Sequence, residues 1–552
     1  MPAPVDFLTF IRRSPSIAAG ALCSCITGLI AAAIINQTKG LFVYPLDDSY
    51  IHLALAHNLA VHHVWGMNSL QFASASSSPG WTLVLTAAEL LIGFHLTTPI
   101  FLNLILAFWI LIVVDYAMVS FSPQAPRGMR YAISFAIVLV TPLPNLIIIG
   151  MEHVAQTLSV VLLVVLSTQV LATDPSERIS ARKVYLLLAC AAVAGAIRYE
   201  AVFVIFPVFL LLLWRRRFLV ALLIALSSAI GPVGFGLYSH HLSGFWLPYS
   251  VLTKTLQNDG VLTHLRNRLI GLATWPSLWT LLPIWLLRFR SWRFWDSSQL
   301  CLLLALTISV THMLVAPIGW LMRYESYFVC LNIFSLMITF ALGPWPREFR
   351  RKFRLFPAWA RIITAAALFG LGGLLPLLVL RMAVGMIVPV EAAVDRYHEH
   401  IQMASFIASD YNHDTVVVND IGAAAFYSNA RLLDMIGLGS AEPLLARHLA
   451  GAFTSEDMAR WATSQDASIA ILQSGWSVVR SLTPNQWTLV QTWRLPRNIV
   501  FQTYDVSFYA VKPMEVSRLC HNLGTFPRNA DNRVVFNICP LSHPVVSRAD
   551  PK

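Results

Sequence analysis

The stretch SPGWTLVLTAAELLIGF, residues 78–94, decides how this chain is threaded through a membrane. It is apolar and close to the length of about 20 residues that an α-helix needs to span a bilayer. Counted as a span, it would invert every later loop and carry Arg215, Arg216 and Arg217 to the outside. Short basic loops stay on the cytoplasmic side. The stretch is therefore expected to be a helix lying in the interface, with Glu89 on its wet face and Trp81 at headgroup depth.

Outward from that stretch the chain is 552 residues long, 57% hydrophobic and only 12% charged, with a mean hydropathy of +0.63. That excludes an ordinary soluble protein. The net charge of +11 is spread over short runs between apolar segments, which reads as topology and not as a nucleic-acid surface. Apolar runs near 17–36, 97–118, 131–149, 153–171, 184–199, 200–214, 218–238, 269–287, 299–317, 327–343 and 362–380 predict eleven transmembrane helices. With the N-terminus inside, 18 Lys and Arg residues fall in cytoplasmic segments and seven outside. The first span then serves as a signal anchor, there being no cleavable signal pattern.

From about Pro389 polar residues rise, and DTVVVNDIGAAAFYS, ASIAILQSGW and DVSFYAVKP read as strands bounded by turns. The predicted organisation is a transmembrane domain over 1–388, with a first outer loop at 37–96 carrying juxtamembrane helices, and a soluble α/β domain over 389–552. An odd span count places that domain outside, in the periplasm of a bacterial inner membrane. Five cysteines lie in apolar segments, whereas Cys520 and Cys539 share the outer domain, where an oxidising compartment favours their pairing. No phosphate-binding loop of the G-x-x-x-x-G-K-[ST] or G-x-G-x-x-G kind occurs, which leaves ATP-driven and dinucleotide chemistry without support.

Ionisable groups in or beside a membrane are costly and mark functional positions. In the expected topology Asp47 and Asp48, His62 and His63, Glu152 and His153, Arg198 and Glu200, Lys254, and Arg323 with Glu325 all emerge at the outer face. Within YPLDDSYIHLALAHNLA, residues 44–60, Asp48 is placed to cap a helix whose Ile51, Leu55 and Leu59 form an apolar stripe. Asp47 lies outside that helix as a free carboxylate, suited to a general base at the mouth of a water-filled cavity. Asp47, Asp48 and His63 also offer oxygen and nitrogen ligands to a divalent metal, although a hard ion wants more acidic oxygens than these.

The segments DDSYIHLALAHNLA (47–60) and ASASSSPGWTLVLTAAELL (73–91) resemble the first outer loop of the GT-C membrane glycosyltransferases that use polyprenyl-phosphate sugars, in particular the cell-wall arabinofuranosyltransferase branch. IIGMEH (148–153), IRYEA (197–201), LPYSVLTKT (247–255) and NDIGAAAFYSNARLLDMIGL (419–438) follow in the family's order. The resemblance implies a GT-C fold and transfer of a sugar, arabinofuranose or similar, to a cell-envelope glycan, lipid or protein acceptor. It implies that Asp47 is the general base and that Asp48 orients the donor sugar or holds the loop. Arg198, Lys254 and Arg323 would meet the lipid-linked phosphate, and Glu152 and Glu200 would bind sugar hydroxyls or hold those cations. His62 and His63 join the substrate-binding set by position. No cofactor is required on this resemblance, and nucleic acid is not a partner. Tyr199 stands where the family often has proline and Tyr249 where it has asparagine, so the donor pocket is expected to differ. The competing class is a transporter or flippase for a lipid-linked or anionic substrate, whose polar residues should instead gather at the bilayer midplane in broken helices.

Overall fold

The computed structural model describes residues 14–174, 176–256, 266, 296–341, 357–496, 499 and 504–539. The chain divides into two compact units. The first comprises Met1–Phe42, Ser77–Trp246 and Lys254–Val390, and the second Val43–Ser76, Leu247–Thr253 and Glu391–Lys552.

The first unit is helical, and the protein is a multi-pass membrane protein. Among the described residues six helices are long and apolar enough to cross a bilayer: Ser16–Gln37, Thr98–Phe121, His153–Leu171, Phe218–Ser243, Ser297–Val315 and Pro376–Asp410. Arg127–Val140 and Leu143–Ile149, bent by 41°, make a seventh if taken as one span. The bend falls at Thr141 and Pro142, where proline cannot continue the amide ladder. The eleven spans expected are not reproduced at full length. Ala181–Ile197 has 17 residues, Tyr199–Trp214 and Ser326–Ile338 are shorter still, and 269–287 lies outside the described residues.

The stretch that decided the threading forms a 14-residue helix, Pro79–Ile92. At 1.5 Å per residue this is about 21 Å, short of a hydrocarbon core of about 30 Å. Trp81 is 0% exposed, and its Nε1–H donates to the Gly150 carbonyl at 3.3 Å, so it packs inside the helical unit. Gly80 permits this packing, since a Cβ there would lie 2.8 Å from the Ala196 carbonyl oxygen. The Ser78 hydroxyl donates to the Ile197 carbonyl at 2.6 Å on the same contact.

The second unit carries a mixed six-stranded sheet, β1 Thr415–Val418, β2 Arg431–Asp434, β3 Ile469–Leu472, β4 Thr488–Arg494, β5 Asp505–Ala510 and β6 Arg533–Asn537, in the order β2-β1-β3-β5-β4-β6. β1 runs parallel to β2 and β3, and the remaining neighbours are antiparallel. Val417, Leu433, Ala470 and Leu472 bury one face of the sheet against Met458 and Trp461 of the helix Ser455–Ser464. The alanine-rich GAAAFY segment following β1 is a helix, Gly422–Tyr427, and not an extension of the strand, in keeping with its helix propensity. Cys520 and Cys539 are joined, their Cα atoms 5.3 Å apart, tying the helix Glu515–Thr525 to the end of β6. Residues 43–76, grouped with the transmembrane domain from the sequence, cluster with this sheet unit instead.

Candidate active site

Asp47 opens the helix Asp47–His62, whose N-cap is Leu46 in an extended conformation with no side-chain cap. Asp48, half-buried in the first turn, is therefore not the cap that the sequence suggested. Nor is Asp47 a free carboxylate. It is 3% exposed and caps another helix altogether: its Oδ2 accepts the Gly422 amide at 2.6 Å and its Oδ1 the Ala423 amide at 2.8 Å. Those are the first amides of Gly422–Tyr427, which have no partner within that helix. Gly422 is required by this contact, because a Cβ there would come within 2.5 Å of Asp47 Oδ2.

Beside Asp47 lies Asp420, with a carboxylate oxygen of each within 4.8 Å of the other. His400 Nε2 pairs with Asp420 Oδ2 at 2.7 Å, and the Arg396 guanidinium lies 3.5 Å from the same oxygen. Burial, and then the charge of Asp420, push the Asp47 carboxyl up to about 8, against the pull of His400 and Arg396. His400 belongs to a π-helical turn, Tyr397–Ile401, in which all five residues are buried. The wider turn lets His398, Glu399 and His400 all face inward, and such insertions recur at functional sites. His398 anchors Asn529 and Asn532, while Glu399 Oε2 stands 3.4 Å from His400 Nδ1.

The second acid of the 419–438 segment does something different. Asp434 is buried and its carboxylate accepts the amides of Ile436, Leu438 and Gly439, holding the turn in which Gly437 has φ of +101°. These amides, with that of Gly437, oppose but do not overcome the effect of burial, which raises its carboxyl to about 6.

In the helical unit, Arg198 leaves the end of Ala181–Ile197 in an extended conformation and reaches Glu152 Oε1 at 2.5 Å. Its Nε donates to Glu200 Oε2 at 2.9 Å, and a second bond joins the same pair. Glu152, Arg198 and Glu200 thus form one ion cluster. The Tyr324 ring is packed by Arg323 at 4.8 Å, Arg198 at 5.9 Å and His153 at 6.0 Å. Arg323 donates to the Tyr324 hydroxyl at 2.9 Å, and Glu325 accepts from Arg381 at 3.0 Å. The Lys254 side chain lies outside the described residues.

His62 and His63 are exposed at the C-terminal end of the helix that Asp47 begins. Sixteen residues of helix put His63 about 24 Å from Asp47. The set Asp47, Asp48 and His63 therefore cannot close on one metal ion. Asp47, Asp420 and His400 do bring ligand atoms within 4.8 Å of one another. There, however, the Arg396 guanidinium already lies 2.6 Å from His400 Nε2. A protein cation thus occupies the imidazole nitrogen that a divalent ion would need. Sequence reasoning missed Arg396, Glu399 and His400. The signal was DRYHEHI, with an aspartate, an arginine, a glutamate and two histidines in seven residues at the end of an apolar helix.

The architecture is that of the GT-C fold, several spans followed by a small sheet domain. Its match to ArnT from Cupriavidus metallidurans in the apo state has a TM-score of 0.52 at 13% identity, over 90% of this chain and 99% of that one. ArnT bound to undecaprenyl phosphate matches at 0.50 and 12% identity with the same coverage. The Archaeoglobus fulgidus oligosaccharyltransferase in the apo form matches at 0.46 and 10% identity, over 90% of this chain and 74% of that one. A family model described as a domain of unknown function (DUF8728) matches residues 391–509. No curated protein matches in sequence.

Two outcomes follow from the site. Gly422→Ala should destabilise the protein by about 1–3 kcal/mol through overpacking against Asp47, seen as a lowered thermal midpoint of the detergent-solubilised chain. Saturating chelator should leave that midpoint unchanged, because Arg396 already holds the imidazole nitrogen of the cluster; a drop on chelation would contradict that reading.

Proposed function

We propose that the chain is a glycosyltransferase that moves a sugar from a polyprenyl-phosphate donor to an acceptor of the bacterial cell envelope. The observation that carries this is Arg198, 5% exposed and fixed between Glu152 and Glu200 in a unit of apolar helices, within a fold shared with a protein crystallised with undecaprenyl phosphate. A guanidinium held at a set orientation in low dielectric suits a phosphate that gains charge as the glycosidic bond breaks. Arg323 and Lys254 join it in this role, while Glu152 and Glu200 aim Arg198 and bind no sugar. Asp47 acts as general base towards the acceptor hydroxyl, and Asp48, one residue on, orients the donor sugar.

The sugar is arabinofuranose or a close relative, on the likeness of DDSYI and its following segments to the arabinofuranosyltransferases. The spans lie in the inner membrane, with the sheet unit on the periplasmic side, where no nucleotide is needed. Mass spectrometry of the envelope glycans of a deletion strain should show one sugar residue missing, naming donor and acceptor together. Asp47→Asn, present in the membrane at normal level, should lose transfer by about 10²–10⁴-fold, the range of a lost general base. Retention of transfer by that variant overturns the role of Asp47.

A further inference from the structure

Arg198, Arg323 and His153 converge on the Tyr324 ring within the helical unit. His153 has so far no task. It opens the span His153–Leu171, is 1% exposed, and neither of its ring nitrogens has a hydrogen-bond partner among the described residues. A neutral imidazole carries one N–H donor and one lone pair, and burying both without partners is costly. What covers His153 is held under strain. Tyr324, its ring 6.0 Å from the imidazole, follows a run of Gly319, Trp320, Leu321 and Met322 with φ of +87°, +48°, +60° and +60°. Glycine enters this region freely, whereas three other residues in succession do so only where the surroundings hold them. Here Asn145 Nδ2 donates to the Leu321 carbonyl at 2.6 Å, and the Gly319 amide donates to Glu325 Oε2 at 2.8 Å. The same run delivers Arg323, which directs Nη1 to the Met151 thioether sulfur at 2.7 Å and Nη2 to the Tyr324 hydroxyl at 2.9 Å. Both are weak acceptors for a guanidinium beside a phosphate oxygen.

We propose that His153 binds the glycosyl phosphate of the donor and that Tyr324 is the side chain the donor displaces to reach it, and this rests on the glycosyltransferase reading above. A phosphate oxygen takes from Arg323 the N–H that the Tyr324 hydroxyl accepts. Released from that bond, the Tyr324 ring moves off the imidazole as the left-handed run relaxes, and the His153 N–H donates to a second phosphate oxygen. The other ring nitrogen accepts from a hydroxyl of the sugar. His153 therefore reads both halves of a glycosyl phosphate, with one group for the anion and one for the sugar. Arg198, clamped between Glu152 and Glu200, keeps its orientation while Arg323 exchanges partners.

The test is titration of the detergent-solubilised full-length chain with farnesyl phosphate, with farnesol as the control that has the tail and no phosphate. His153→Phe keeps a ring against Tyr324 and has no N–H. It should weaken farnesyl phosphate at least about tenfold, the loss of a hydrogen bond to a charged group, and bind farnesol as the wild type does. His153→Asn and His153→Gln return an amide N–H near the positions of Nδ1 and Nε2 respectively, so one of the two should recover binding. Equal loss in all three variants marks a structural role and overturns the assignment of His153. Tyr324→Phe should tighten farnesyl phosphate by about two- to tenfold, because the hydroxyl that competes for Arg323 is gone; weaker binding there overturns the displacement. Wild-type affinity in His153→Phe, beside a loss in Arg323→Gln, overturns the role of His153 alone. A wild type that binds farnesyl phosphate no better than farnesol overturns this site and the reading beneath it.

Discussion

The second unit is organised around one contact: the Asp47 carboxylate resting on the backbone amides of Gly422 and Ala423, 375 and 376 positions further along the chain. A carboxylate at 3% exposure is tolerable only when its lone pairs are taken up. Two amides at the start of a short helix do that, and the helix in turn gains the partner its first residues lack. The contact also fixes a glycine, since no side chain can stand between the carboxylate and the backbone. Around this pair the remaining charges are ordered by sign, with Asp420 between Asp47 and the cationic His400 and Arg396.

The helical unit solves a comparable problem with a different balance. Arg198 faces two carboxylates, so the cluster carries excess negative charge and orients the guanidinium rigidly. Breaking such a buried pair by removing one partner is far more harmful than never having had it. Tyr324 collects Arg198, Arg323 and His153 around one ring, giving the cations a quadrupole to rest on where water is scarce.

Much of the fold was legible because membrane burial speaks in composition. His153–Leu171 has the limits read from hydropathy alone, and Ser16–Gln37 and Thr98–Phe121 differ only at their ends. Glu152, Arg198 and Glu200 were nameable from cost alone. The uses of the two adjacent acids were not. Asp48 had the spacing of a cap and Asp47 looked idle, because the partner amides of Asp47 lie hundreds of residues away and local pattern carries no trace of them. The acceptor of Trp81, the carbonyl of Gly150, was out of reach of local pattern for a similar reason. Arg396, Glu399 and His400 were hidden by position. Charges just past an apolar helix look like the ordinary wet edge of a soluble domain, and only the π-helical turn shows them to be turned inward.

That turn sets a constraint on length. A π-helical turn is an α-helix carrying one extra residue, so Tyr397–Ile401 works as an angular offset between the apolar helix before it and Gln402–Asp410 after it. Losing one residue there would leave the hydrophobic length of the span untouched and preserve every side chain of the sheet. It would, however, turn whatever follows by about 100° relative to what precedes, the angle of one residue at 3.6 per turn. Arg396 would no longer keep its present angle to Gln402–Asp410. Variation in this chain should therefore be tolerated as substitution far more readily than as a change of register in that single turn.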